Sequence, residues 1–162
     1  MPSDAGRGLG GVTRISIDSE PMAVRAALAQ LLDSLILRSL PVEDRDAAEI
    51  VLAEVLNNVV EHAYLSGRGE IEVALQLSRG RLTCEITDSG APMPDQRLPD
   101  GGVPEPLPGE PLPEGGFGWS MIRALAKDLE YRRSDGLNRL SFRLGQGCPS
   151  PEDAQSAKIR DD

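Results

Sequence analysis

The sequence predicts an α+β domain. Three observations predict it. Five segments alternate apolar and polar residues with a period of two; three longer segments repeat apolar residues at helical spacing; and the strand-like segments pair off through short Gly-containing links. A length of 162 residues suggests one domain with tails. Residues 1–11 read as a flexible leader, 12–144 as the folded domain and 145–162 as a disordered polar tail.

Each element has its own signal. Val12 to Asp18, VTRISID, alternates as a short strand. Ser19-Glu-Pro predicts a helix start with a hydroxyl cap and Pro in the first turn, and that helix is expected to run to about Ser39. Pro41 stops it and opens the next, which begins near Val42 and continues to Tyr64 before Ser66, Gly67 and Gly69 break it. Glu70 to Leu77 and Arg81 to Thr87 predict an antiparallel hairpin turning at Ser78-Arg79-Gly80. Residues 91–114 hold eight of the thirteen prolines, a density that no helix or interior strand survives. A loop of that length is either a lid over a site or an insertion without a role. A third helix is expected from Trp119 to about Asp128. Strands follow at Leu129–Arg133 and Leu140–Leu144, joined by a turn around Ser134-Asp-Gly-Leu-Asn138.

Composition narrows the function. The net charge of −9 argues against non-specific nucleic-acid binding, which needs a basic face to displace counterions, but leaves room for a protein partner with a basic patch. Cys84 and Cys148 stand far apart in no CxxC arrangement and read as free thiols of a reducing compartment. A single His makes a His-based zinc site a poor reading. The N-terminus has no signal-peptide pattern, and no apolar run approaches the roughly 20 residues that span a bilayer. The expected location is the cytoplasm, with no membrane contact.

Four features in order could carry chemistry. The first is the row Glu54, Asn58 and His62, every fourth residue of the second helix. Such a row drifts only about 40° per step, and it borders the apolar stripe of Ala48, Val51, Leu52, Val55, Val59 and Ala63. Asn57 points away from it, which favours Asn58. An amide oxygen suits Mg²⁺ beside phosphates, and a carboxylate one turn earlier could orient or deprotonate a hydroxyl. The bland reading is a solvated helix edge. The second feature is Asp88-Ser89-Gly90 at a strand exit: an ordinary turn pair, or an acceptor for an adenine amino group with glycine giving it room. The third is the proline-rich loop. The fourth, Gly115-Gly116-Phe117-Gly118, opens a helix whose unpaired N–H groups suit a phosphate, or is a plain loop-to-helix turn. It is not a Walker A loop, since no Gly-Lys-Ser/Thr follows.

These motifs resemble the GHKL ATPase superfamily, in the branch of bacterial anti-sigma-factor serine kinases. Glu54-Val-Leu-Asn-Asn58-Val-Val-Glu-His62-Ala is similar to the family's N-box, Asp88-Ser89-Gly90 to its adenine motif, and Gly116-Phe-Gly118-Trp-Ser-Met-Ile-Arg to its second glycine box. Asp135-Gly-Leu-Asn-Arg139-Leu resembles its closing hairpin. One departure is Ala91, where the commoner pattern has a further glycine. The resemblance covers roughly residues 12–144.

The resemblance implies the two-layer Bergerat fold, a mixed, mostly antiparallel sheet covered on one face by three helices, with 91–114 as the ATP lid. It implies ATP and Mg²⁺ as cofactors, Glu54 as catalytic base, Asn58 as metal ligand, Asp88 and Gly90 at the adenine, and Gly116, Phe117 and Gly118 at the phosphates. His62 matches a family position and is read as structural, or as supporting a neighbouring site residue, rather than as catalytic. The implied function is that of a serine-protein kinase that sequesters a sigma factor, phosphorylates a STAS-type anti-anti-sigma partner, and commonly forms a homodimer. Three other readings stand beside it. One is a nucleotide-gated binding module without significant turnover, which the stiff lid favours. Another is a histidine-kinase catalytic domain, disfavoured because only one helix precedes the N-box. The last is a globular domain that binds no nucleotide.

Overall fold

The computed structural model describes residues 11–65, 67–102, 108 and 116–145. The expected leader (except Gly11), Ser66, Gly115, most of the second half of the 91–114 loop, Cys148 and the tail beyond 145 lie outside the described residues. The chain runs β1 (Val12–Asp18), α1 (Pro21–Leu32), α2 (Leu35–Arg38), α3 (Val42–Asn58), β2 (Glu70–Ser78), β3 (Arg81–Asp88), α4 (Gly118–Leu125), β4 (Lys127–Ser134) and β5 (Leu137–Leu144). The strands form one sheet in the order β1-β2-β3-β5-β4, and every neighbouring pair among the described residues is antiparallel. The fold is α+β, as the sequence predicts.

Alternation does the layering. Ile71, Val73 and Leu75 of β2 point to one face with Leu82, Cys84 and Ile86 of β3 and Leu140, Phe142 and Leu144 of β5. Against that face α3 lays Ala48, Val51, Leu52, Val55 and Leu56, all buried. Burying an aliphatic side chain of this size contributes about 1.5–3 kcal/mol, so this stripe holds α3 on the sheet. The Cys84 thiol is sealed here, and burial pushes its pKa upward, keeping it protonated. The opposite face carries paired charges, Arg14 with Glu72 and Arg139 with Glu85.

Both hairpins turn in two residues. Arg79 and Gly80 (φ 50° and 72°) and Asp135 and Gly136 (φ 52° and 78°) all take the left-handed conformation, whose twist matches the flanking strands.

Three local expectations change. The helix expected to reach Ser39 breaks at Asp33-Ser34, two residues whose side chains compete for backbone hydrogen bonds, and restarts as α2. Ser19 does not cap α1: Glu20 holds the cap position, and Ser19 Oγ accepts from the Gly69 N–H at 2.8 Å, fastening β2 to the helix start. The third helix ends at Leu125, not near Asp128. Leu125 is 38% exposed, so little burial sustains another turn, whereas Lys127 gains a ladder partner in Arg143. Asp128, with φ 50°, then sits in a register shift of β4.

Candidate functional site

Glu54 and Asn58 lie one turn apart at the end of α3, both half-buried, while Asn57 is exposed. Beyond Asn58 the helix widens into a π turn over Val59–Ala63. The turn ends in a clamp. Ala63 O accepts from the Ala91 N–H at 2.8 Å, and Tyr64 Oη donates to Glu70 O at 3.1 Å while accepting from the Ser89 N–H at 3.0 Å. A Cβ on Gly90 would stand 2.5 Å from Ala63 O and 2.6 Å from its Cβ. Glycine is therefore needed at position 90 for the docking of the α3 terminus; the space its missing side chain leaves is filled by Ala63 rather than open to a base.

The apolar stripe of the inward sheet face ends in two polar residues. Asp88 of β3 and Asn138 of β5 are register partners, 5% and 4% exposed. Asn138 Nδ2 donates to Asp88 Oδ1 at 2.8 Å and to Ala91 O at 2.9 Å; the Gly90 N–H donates to the same Oδ1 at 2.9 Å. Every hydrogen bond to this carboxylate among the described residues falls on Oδ1. Burial this deep requires such partners.

The third wall is α4. A Cβ on Gly118 would collide with Glu54 Oε2 and lie 3.8 Å from Asn58 Nδ2, so glycine lets the start of α4 close on both side chains. The loop after β3 is held in two places: the Met93 N–H donates to Tyr131 Oη at 3.1 Å, and Arg123 Nε donates to Pro99 O at 2.7 Å. Gly101, at φ 71°, presses against Trp119 and Arg123.

Between these walls lies a cavity of about 410 Å³, reaching Asn58, Asp88, Met93, Trp119, Tyr131 and Asn138. That is ample for a small-molecule ligand, and its lining is mainly apolar with a few polar groups. Asn58 Nδ2 is buried with no hydrogen-bond partner among the described residues. An orphaned amide beside a carboxylate and a helix start suits a phosphate-and-metal ligand: the nitrogen can donate to a phosphate oxygen and the carbonyl can ligate Mg²⁺. Among the described residues no three His, Cys, Asp or Glu side chains cluster as a metal cage, so such an ion would lean on the phosphates and water.

Of the residues singled out from sequence, Asn58 and Asp88 line the cavity, Glu54 and Gly118 meet beside Asn58, and Gly90 packs behind. His62 is exposed at the cavity wall. Gly116, at φ 91°, and Phe117 precede α4 without reaching the cavity. Sequence reasoning missed Asn138, Tyr131 and Trp119. A signal for Asn138 existed: it shares the period-two face of Leu140, Phe142 and Leu144, where a polar residue calls for a partner.

Residues 17–144 match the family described as the histidine kinase-like ATPase domain. The serine-protein kinase RsbW of Bacillus mycoides (strain KBAB4) and that of Bacillus cereus (strain AH820) are each 30% identical to this chain over 100 residues, 60% of this chain and 62% of the relative. The match thus spans under two thirds of those relatives. A crystal structure of RsbU and RsbW domains from Mycobacterium tuberculosis superposes with a TM-score of 0.58 at 20% identity, covering 86% of this chain and 34% of that one. A blue-light activated histidine kinase of Erythrobacter litoralis gives 0.51 at 19%, covering 83% and 41%. At these identities the two structures share the fold.

Proposed function

The chain belongs to the histidine kinase-like ATPase domain family, and on that premise we propose that it is an ATP-binding serine-protein kinase acting as an anti-sigma factor. Its substrate on this reading is one serine of a STAS-type anti-anti-sigma protein, and its second partner is a sigma factor, with action as a homodimer in the cytoplasm. No described helix is long and apolar enough to cross a membrane.

The observation that carries the reading is the meeting of Glu54 and Asn58 with the glycine start of α4. Asp88 Oδ2 has no hydrogen-bond donor among the described residues and accepts the adenine amino group. Asn58 would hold the triphosphate end, its amide oxygen being the candidate ligand for Mg²⁺. Gly116, Phe117 and Gly118 lead into α4 beside Asn58, and the unpaired N–H groups of that helix start would meet phosphate oxygens extending past the cavity. Bound Mg²⁺ would supply charge neutralisation on the phosphates. Glu54 receives the proton of the attacking serine hydroxyl, and its half-burial keeps it at the margin of both the cavity and solvent.

A phosphotransfer assay with Mg-ATP and candidate anti-anti-sigma proteins tests this. Glu54→Ala should abolish transfer while ATP binding, followed by calorimetry, persists. Absence of ATP binding by the unaltered chain would sink the reading. The second reading, a nucleotide-gated binding module without significant turnover, draws on the fastening of the loop at Met93 and Pro99. It predicts ATP binding, partner binding and no transfer.

A further inference from the structure

We infer that Asn138 is a positioning residue that fixes how Asp88 meets a nucleobase, and that Arg133 and Tyr131 set the direction in which it does so. The inference rests on the nucleotide reading above and adds to it the residue that makes the pocket selective for a 6-amino purine.

The direction follows from donors that cannot accept. Arg133 Nη1 lies 2.6 Å from Asn138 Oδ1, and a guanidinium has no acceptor, so the amide oxygen must face it. Tyr131 Oη lies 2.7 Å from the same oxygen. An amide oxygen can only accept, so the hydroxyl proton goes to Asn138 while its lone pair takes the Met93 N–H. With the oxygen so held, the Asn138 nitrogen has to point at Asp88 Oδ1, 2.8 Å away.

The consequence falls on Asp88. Its Oδ1 takes two N–H donors, from Asn138 and Gly90, so the carboxylate plane is pinned and Oδ2 is the oxygen left for a ligand. Without the Asn138 donor one of the two pins is lost and the plane can turn. The acceptor then no longer stands at one place for an amino group. An amide is suited to this post. It donates to Asp88 on one side while accepting from Arg133 and Tyr131 on the other, which a hydroxyl or an apolar side chain cannot do at this length.

The test compares calorimetric affinity for ATP with that for purine riboside triphosphate, which lacks only the 6-amino group, on folded protein checked by circular dichroism. One hydrogen bond to a charged acceptor should make the unaltered chain prefer ATP by about tenfold or more. Asn138→Ala should compress that preference to within about twofold, chiefly by weakening ATP. Arg133→Met leaves both Asp88 and Asn138 in place and should give an intermediate ratio. It decides the question if the alanine variant does not fold. An unchanged ratio in the variants, or equal weakening of both nucleotides, would overturn the inference and leave the ATP reading standing. Failure of the unaltered chain to bind ATP would instead remove the reading beneath it.

Discussion

Gly118 and Glu54 are packed so closely that the Cα of one leaves no space for a side chain beside the carboxylate of the other. The contact joins the start of α4 to the end of α3, the two elements that frame the cavity. Because the atom in the way is the far end of a flexible side chain, Gly118→Ala should displace Glu54 rather than the helix. Gly118 is the first residue of α4, where alanine gains only part of the roughly 1 kcal/mol it holds over glycine in a helix interior, so thermal stability should stay near that of the unaltered chain. Phosphotransfer should fall by about tenfold or more, with ATP affinity changing less, since a displaced base costs turnover before binding. Parallel transfer and calorimetric measurements would show the split; equal loss of both would contradict it.

Gly90→Ala should behave in the opposite way. The obstacle there is the Ala63 carbonyl, a backbone group held by the Ala91 N–H. Neither can step aside without opening the clamp between α3 and the strand exit. Overpacking of this kind costs about 1–3 kcal/mol. Thermal denaturation should show a midpoint several degrees lower, roughly 2–4 °C for each kcal/mol in a chain of this size.

Asn58→Leu separates stability from ligand binding. It replaces an orphaned buried amide with an apolar group in a neighbourhood that includes Val55 and Val59. The ligand-free protein should be unchanged or more stable by about 1 kcal/mol. For the unaltered chain, Mg-ATP at 100 times its dissociation constant adds about 2.7 kcal/mol. That increment should vanish in the variant, as read by thermal shift with and without Mg-ATP.

Cys84 gives a pH dependence on the alkaline side. Its thiol is held protonated by burial, so its folded pKa is raised above the unfolded value. Above the ordinary thiol pKa of about 8.5, the unfolded chain releases a proton that the folded chain keeps. Stability is therefore intact below that pH and declines above it, by at most about 1.4 kcal/mol per pH unit. Urea denaturation at pH 8 and pH 10 should show the decline, and Cys84→Ala should remove this contribution to it.

The strands of the fold were readable because one face of the sheet is buried and alternation records it: VTRISID and EIEVALQLS announce themselves. So was the α3 row, since Glu54 and Asn58 sit at the border of a five-residue apolar stripe. What escaped was set by tertiary contact. The apolar spacing of Met121, Leu125 and Leu129 suggests a longer third helix, yet Met121 and Leu125 are partly exposed and Leu129 belongs to β4. Ser19 reads as a helix cap until Gly69, 50 residues away, claims its oxygen. The strand expected from sequence starts at Leu140 and so leaves Asn138 outside it. The strand begins at Leu137, directly after the Asp135-Gly136 turn, and so includes it.

The position of β5 inside the sheet, beside β3 and not at an edge, bears on how the protein comes into being. Asp88 leaves the ribosome 50 residues ahead of the amide that holds it. Until the β4–β5 hairpin slides in between β3 and open water, that wall of the cavity is missing and the carboxylate lacks its Asn138 donor. Maturation of the pocket thus waits until β4 and β5 have been synthesised, and on the proposed reading a polypeptide without them lacks the means of telling one nucleotide from another.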